Sequence, residues 1–329
     1  MTPYLELLKA LKPSAKPTFH ALDLFAGCGG LALGFESAGI STTGYEIDKD
    51  AANTYNLNLE GNCIHQELTT STIFPKADLI IGGPPCQPFS VGGKQKGLRD
   101  SRDGFPIFIE AVRQVKPEIW MFENVRGMMF KNKKYLEEIL QTLKGLGYEI
   151  EYHLVKAVNF QVPQNRERLI VVGHKGGYEF PDLIEHKYTA GDAVSDIAFN
   201  VDGNSKILTK SQDEYIAKYE KASKCINPRD LHFDRPSRTV TCRNLAGATG
   251  DMLRVKLPDG RRKRLTVREG ARLQSFPDSF TFTGTETAQF NQIGNAVPPM
   301  LAYHVAKSIL KYLKKEPLVA RKNKQLELI

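Results

Sequence analysis

Between residues 19 and 173 the chain alternates short, nearly continuous apolar runs with longer amphipathic stretches. That rhythm limits the available folds more than any other feature of the sequence. Leu79-Ile80-Ile81 and Leu169-Ile170-Val171-Val172 are apolar at every position, the pattern of strands covered on both faces. Runs at 20–25, 43–47, 78–81, 119–123, 150–155 and 169–173 are predicted strands, and 31–38, 49–59, 105–115 and 135–146 carry the i, i+3, i+4 spacing of helices. Strands alternating with helices build a parallel sheet with helices on both faces. The predicted fold is α/β, a doubly wound, mostly parallel sheet.

After His174 the rhythm breaks. Residues 180–264 are polar and irregular, with turn signals at Asp202-Gly203 and Pro258-Asp259-Gly260. They predict a second, smaller domain, irregular and β-rich. A helical pattern returns at Thr266, 297–313 reads as a terminal helix, and 314–329 as a basic, frayed tail. The expected division is a catalytic and cofactor-binding domain at 1–179, a recognition domain at 180–264, a hinge and return segment at 265–294, and a C-terminal helix at 295–329 rejoining the first domain.

Composition serves mainly to exclude. Apolar residues at 41% and charged residues at 25% are ordinary globular values. No apolar run approaches the roughly 20 residues that span a bilayer, and 1–16 lacks the apolar stretch of a secretion signal. The five cysteines (Cys28, Cys63, Cys86, Cys225, Cys242) form no CxxC pair and leave one over. A reduced, cytoplasmic protein without disulfide framework or zinc cluster is the expectation. The net charge of +8 suggests a polyanionic partner, with a merely solvated surface as the alternative.

Four strand ends carry chemistry. Ala21 to Gly30 (ALDLFAGCGG) runs from a strand into a helix, where glycines permit a tight turn and close approach of an anionic ligand. Glu46, ending the next strand, suits a ribose diol. An adenosine-type cofactor follows, or alternatively a helix–strand packing turn; the loose GxGxxA match would also allow a nicotinamide dehydrogenase. No phosphate-binding Gly-x4-Gly-Lys-Ser/Thr motif occurs. Next, Gly82-Gly83-Pro84-Pro85-Cys86-Gln87-Pro88-Phe89-Ser90 puts a cysteine just beyond a strand, between residues that argue against a packed strand interior. Finally, Glu123 leaves the apolar run Ile119 to Phe122, a setting that tends to raise a carboxyl pKa. Arg166 and Arg168 in QNRER, at i and i+2, can form a clamp for carbonyl and phosphate oxygens, or an ordinary surface cluster.

In order, DLFAGCGG, GYEID, GGPPCQPFS, ENV, QNRER, LTVREGARLQSFPDSF and QIGNAVPP resemble the DNA cytosine-5 methyltransferases of bacterial restriction-modification systems, from Leu22 to Pro299. The resemblance implies a Rossmann-like S-adenosylmethionine-dependent fold, a target-recognition domain and double-stranded DNA between the two. It implies S-adenosylmethionine as cofactor with no metal, a monomer, and a companion restriction endonuclease that need not touch the chain. By position, Phe25, Gly27 and Gly29 line the cofactor pocket, with Glu46 on the ribose, Ile47 on the adenine and Asn295 completing that side. Glu67 stands where the family usually has Asp for the adenine amino group. Cys86 becomes the nucleophile and Glu123 the group at cytosine N3. Arg166 and Arg168 support the base and active-site groups, and Ser90 with loop 91–102 closes over a flipped-out base.

In the recognition segment, Arg238, Arg243 and Asn244 have the side chains that pair with base edges, and Thr239-Val240 occupies the family's Thr-aliphatic position. Phosphate or fold-supporting roles are the alternative for each. Residues 254–268 hold seven basic residues, Arg261 and Arg262 among them, against the single acid Asp259, as a basic hairpin for phosphates would. Two other functions share much of this pattern: a cytosine-5 methyltransferase of transfer RNA and a non-catalytic DNA-binding relative. The Arg-rich recognition region argues against the first, and the joint presence of Cys86, Glu123, Arg166 and Arg168 against the second.

Overall fold

A computed structural model of the chain describes residues 2–14, 16–86, 103–203, 205–222, 229–247 and 250–317. Ser90, loop 91–102 and Cys225 lie outside the described residues. Seven strands form the main sheet: β1 (Phe19–Leu24), β2 (Ile40–Glu46), β3 (Asn62–His65), β4 (Leu79–Gly82), β5 (Ile119–Val125), β6 (Glu149–Lys156) and, after the short β7 (Gln164–Asn165), β8 (Glu167–His174). Their order is β3-β2-β1-β4-β5-β8-β6. Neighbours from β3 to β5 are parallel, whereas β8 runs antiparallel to both β5 and β6.

This one reversed strand matters for the site. The parallel strands deliver their carboxyl ends to one edge of the sheet, where open α/β sheets bind ligands. Because β8 is antiparallel, its amino end reaches the same edge, with Arg168 opposite Val125 and Ile170 opposite Glu123. The QNRER motif and the carboxyl end of β5 are thereby brought together.

Alternate residues of the central strands feed two cores. Ala21, Ile81, Met121 and Ile170 belong to one, and Leu22, Ile80, Trp120, Phe122 and Val171 to the other. The helices are α1 (Pro3–Lys9), α2 (Gly30–Ala38), α3 (Lys49–Asn58), α4 (Phe105–Val115), α5 (Gly127–Phe130), α6 (Lys133–Lys144), α7 (Ala190–Val194), α8 (Lys210–Ala222), α9 (Cys242–Ala246), α10 (Val267–Leu273), α11 (Glu286–Asn295) and α12 (Pro299–Leu313). Capping side chains fix several starts: Asp48 accepts from Ala51 N at 2.8 Å, and Thr266 with Glu269 forms a reciprocal capping box. The last helix, α12, packs on α2 so closely that a Cβ built at Gly34 would stand 2.4 Å from Ala302 Cβ. Among the described residues, no helix is long and apolar enough to cross a membrane.

Residues 180–264 differ from the β-rich expectation. Their strands are the short β9 (Ser237–Arg238), β10 (Arg254–Lys256) and β11 (Arg262–Arg264), beside the 13-residue α8. Nor does the core divide at residue 180. Tyr188, Val194, Val240, Leu245 and Val255 join the same cluster as the sheet residues Ala21 and Ile170, and among the described residues Leu208, Ile216 and Met252 form a small core of their own.

Candidate active site

The glycine turn leaves β1 through positive φ angles at Phe25 (60°), Gly27 (55°) and Gly29 (88°). Its glycines do different things. A Cβ at Gly27 would meet no atom within 4 Å, so this side of the turn is open. At Gly29 a Cβ would lie 2.6 Å from Leu59 Cδ1, so this glycine is required by packing against α3's end as well as by its φ.

Glu46 sits at the adjacent strand end, where Oε2 accepts from Gly27 N and Oε1 from Asp48 N, both at 2.8 Å. Each oxygen keeps a lone pair for a hydroxyl. Ile47, 60% exposed, offers an apolar face beside it. An open backbone turn, a carboxylate and an exposed apolar side chain together fit an adenosine-type group. Glu67 is exposed nearby in sequence, and Asn295 lies at the end of α11, where its Oδ1 accepts from Cys242 Sγ at 3.0 Å. That contact turns Asn295 toward the recognition segment. Beneath the turn, Asp23 is wholly buried, and burial with the nearby Glu46 and Glu36 holds its carboxyl well above the usual range.

Phe25 links this turn to the cysteine loop. Its ring lies against Gly104, whose N donates to Pro85 O at 3.0 Å. Cys86 is half-buried, bridged through its backbone to Asp103, with its sulfur 3.2 Å from Met128 Sδ. Burial, and then the Asp103 carboxylate, push its thiol up to about 11. At neutral pH the side chain is therefore a thiol.

Glu123 ends up beside the same loop. Its Oε1 accepts from Arg168 Nε at 2.6 Å, with both side chains largely buried, and its Oε2 would be 3.8 Å from a Cβ built at Gly83. The next residue, Asn124, donates from Nδ2 to Pro84 O at 2.9 Å, fastening the end of β5 to the diproline turn. Sequence reasoning gave Asn124 no role. Its contact joins positions 40 apart in the chain, which no local pattern announces.

Arg166 is not part of this face. It is fully buried, and its guanidinium donates to Val240 O (2.8 Å), Gly294 O (3.1 Å) and Ala296 O (3.0 Å). It ties β8's start to the recognition and return segments, and burial holds its pKa well below the usual arginine value. Buried Gln164 assists from the same strand pair, accepting from Val240 N at 2.8 Å and donating to Gln274 Oε1 at 2.7 Å. An open cleft of about 400 Å³ lies next to Arg168, lined also by Val125, Arg126, Lys156, Asn165 and Thr239.

The DNA-facing expectations fare unevenly. Thr239 is half-buried at the cleft and donates to Asn165 O at 2.6 Å. Arg238 donates to Asp251 Oδ1 at 3.0 Å, while Arg243, with its side chain 77% exposed, is 4.0 Å from the same carboxylate. Asn244 is buried. It completes the α9 capping box and donates to Thr239 O at 2.8 Å, so its amide serves the fold and is not turned to a base. The basic run at 254–268 is mostly turned inward. Arg254 is fully buried between Glu220 and Asp230, Lys263 is buried on Glu269 at 2.6 Å, and Arg262 pairs with Asp230 and Asp213. Arg261 alone of these four is exposed, at 57%, and it pairs locally with Asp259.

Residues 19–311 match the family described as C-5 cytosine-specific DNA methylase. The chain belongs to that family. It is similar to the Type II methyltransferase M.AplI of Arthrospira platensis, 55% identical over 317 residues covering 95% of this chain and 92% of that protein. It is also similar to the Type II methyltransferase M1.HphI of Haemophilus parahaemolyticus, 36% identical over 88% of this chain and 86% of the relative. The fold is shared with the Entamoeba histolytica methyltransferase EhMeth, at a TM-score of 0.71 and 19% identity over 91% of this chain and 99% of that one. This methylase is accordingly an enzyme of the cytosine-5 kind, and the family implies S-adenosylmethionine as methyl donor.

Proposed function

We propose that the protein methylates C5 of a specific, flipped-out cytosine in double-stranded DNA through a covalent adduct between Cys86 and C6, and so protects DNA from a companion restriction endonuclease. The observation that carries this reading is the juxtaposition of two strand ends. Cys86 follows β4 and Glu123 ends β5; the Asn124–Pro84 hydrogen bond joins them and Arg168 clamps the carboxylate.

Cytosine C5 is a poor nucleophile until C6 is attacked. Cys86, as thiolate, forms the S–C6 bond, and the displaced ring electrons are accommodated as Glu123 stabilises a proton at N3. C5 then has enamine character. S-adenosylmethionine, when bound by Phe25, Gly27, Glu46 and Ile47 with Glu67 and Asn295 at its margin, supplies an electrophilic methyl. Loss of the C5 proton and expulsion of Cys86 restore the aromatic ring. A stacked duplex hides both carbons, which requires extrusion of the base. The cleft between Arg168 and Thr239 supports this with room of small-ligand size.

Recognition is assigned to 180–264, between a catalytic unit at 1–179 and the 265–294 and 295–329 segments that return to it. There Arg238, Thr239, Arg243 and Arg261 face DNA, and Asn244 and Arg262 hold the scaffold. Bisulfite sequencing of DNA from cells expressing the chain tests the reading: protected cytosines at one recurring sequence are expected, and uniform conversion contradicts it.

A further inference from the structure

Asn132 occupies the N-cap position of α6 yet does not cap it. Asn at this position ordinarily accepts from a backbone N–H of the first turn. In this protein Asp48, Thr266 and Thr285 do so at the starts of α3, α10 and α11. Asn132 makes no such bond, although its carbonyl receives Leu136 N at 3.0 Å as helix geometry requires. The residue is buried, and its side chain turns away from the helix, with Nδ2 4.0 Å from Cys86 Sγ. A helix start has given up its own cap, and the amide lies along the sulfur instead.

The surroundings of that sulfur show why an amide there matters. As a thiol, Cys86 donates to Met128 Sδ at 3.2 Å. When the proton passes to solvent this bond is lost, and sulfur lone pairs then face a thioether that donates nothing. Asp103, bridged to Cys86, adds a carboxylate that opposes the thiolate. Tyr135, one turn into α6, donates its hydroxyl to that carboxylate. Among the described residues, Asn132 is the donor within reach of the sulfur, and its amide acts against the burial and the Asp103 charge that hold the thiol up.

We propose that Asn132 is a positioning residue for the nucleophile: its Nδ2–H donates to Cys86 Sγ as the thiolate forms, holding the charged sulfur in place for attack. This rests on the reading of Cys86 as nucleophile.

The test compares Asn132→Ala and Asn132→Asp in the full chain. Aspartate caps a helix as well as asparagine does, but it cannot donate when ionised. The primary readout is the pH dependence of iodoacetamide alkylation at Cys86, followed on its own peptide, alongside kcat, the KM values for DNA and S-adenosylmethionine, and melting temperature. Asn132→Ala is expected to slow alkylation at pH 8 and kcat together by about three- to tenfold, with both KM values unchanged. Asn132→Asp, which places a second carboxylate beside the sulfur and Asp103, is expected to be slower than Asn132→Ala in both. Restoration of the wild-type alkylation profile and kcat by aspartate would show a capping role and overturn the proposal. An unchanged profile in Asn132→Ala overturns it too. Cys86→Ala, assayed in parallel, separates the two claims: methyl transfer by that variant removes the nucleophile reading, whereas the alkylation profile still judges the contact between Asn132 and the thiol.

Discussion

The strand-end edge of the sheet and the basic stretch at 254–268 both stand out in the sequence, yet the molecule uses them in opposite ways. At the sheet edge, Cys86, set between prolines and glycines, remains half-buried, and Arg168 lines an open cavity. In the basic stretch, charge suggested a phosphate-facing surface, but Arg254 and Lys263 are buried and Arg262 is spent on Asp230 and Asp213. Position relative to a strand end predicts which residues meet, because parallel strands stop at one edge. A count of charges carries no direction, and its neutralising partners can lie elsewhere in the chain.

The comparison can be broken most sharply at Cys86. Cys86→Ser, which preserves shape but replaces the nucleophile, is expected to lower methyl transfer about a thousandfold or more while binding of DNA and S-adenosylmethionine persists. Tritiated methyl transfer and a gel-shift titration measure the two halves. Normal turnover would place the chemistry elsewhere.

Arg254→Ala addresses the other region. It removes the buried guanidinium that lies between Glu220 and Asp230, and a loss of about 3–5 kcal/mol in denaturant unfolding is expected. A loss within ~0.5 kcal/mol would mean that the side chain is not the internal tie its contacts describe. Arg261→Ala is the smallest change. Its exposed pair with Asp259 is screened by solvent and adds little to stability. If Arg261 meets a phosphate, the slope of log K against log salt for DNA binding falls by ~0.9. An unchanged slope would remove it from the interface.

Much of the sheet was legible because buried strands are apolar at every position. β4, β5 and β8 fall within two residues of their predicted spans. β3 escaped notice because Asn62–His65 has four residues of mixed character, and α8 because Ile216 is its one buried side chain. The reversal of β8 was not legible either, since an apolar run has no direction; it became visible only through its pairing with β5 and β6. At the site, Cys86 and Glu123 could be picked out from their own neighbours in sequence. Asn124 and Asn132 could not, because their partners Pro84 and Cys86 lie 40 and 46 residues away. Arg166 was legible as a motif residue, but its partners were not: three backbone carbonyls from two later segments hold it inside.

The central claim is covalent catalysis by Cys86, and its most direct test is mechanism-based trapping. Duplex DNA carrying 5-fluorocytosine at the methylated position is incubated with the enzyme and S-adenosylmethionine, run on a denaturing gel, and the adduct is mapped by peptide mass. Fluorine at C5 cannot leave as a proton does, so the account predicts a stable DNA–protein adduct on the peptide containing Cys86. No adduct, or an adduct on a peptide lacking Cys86, would contradict it.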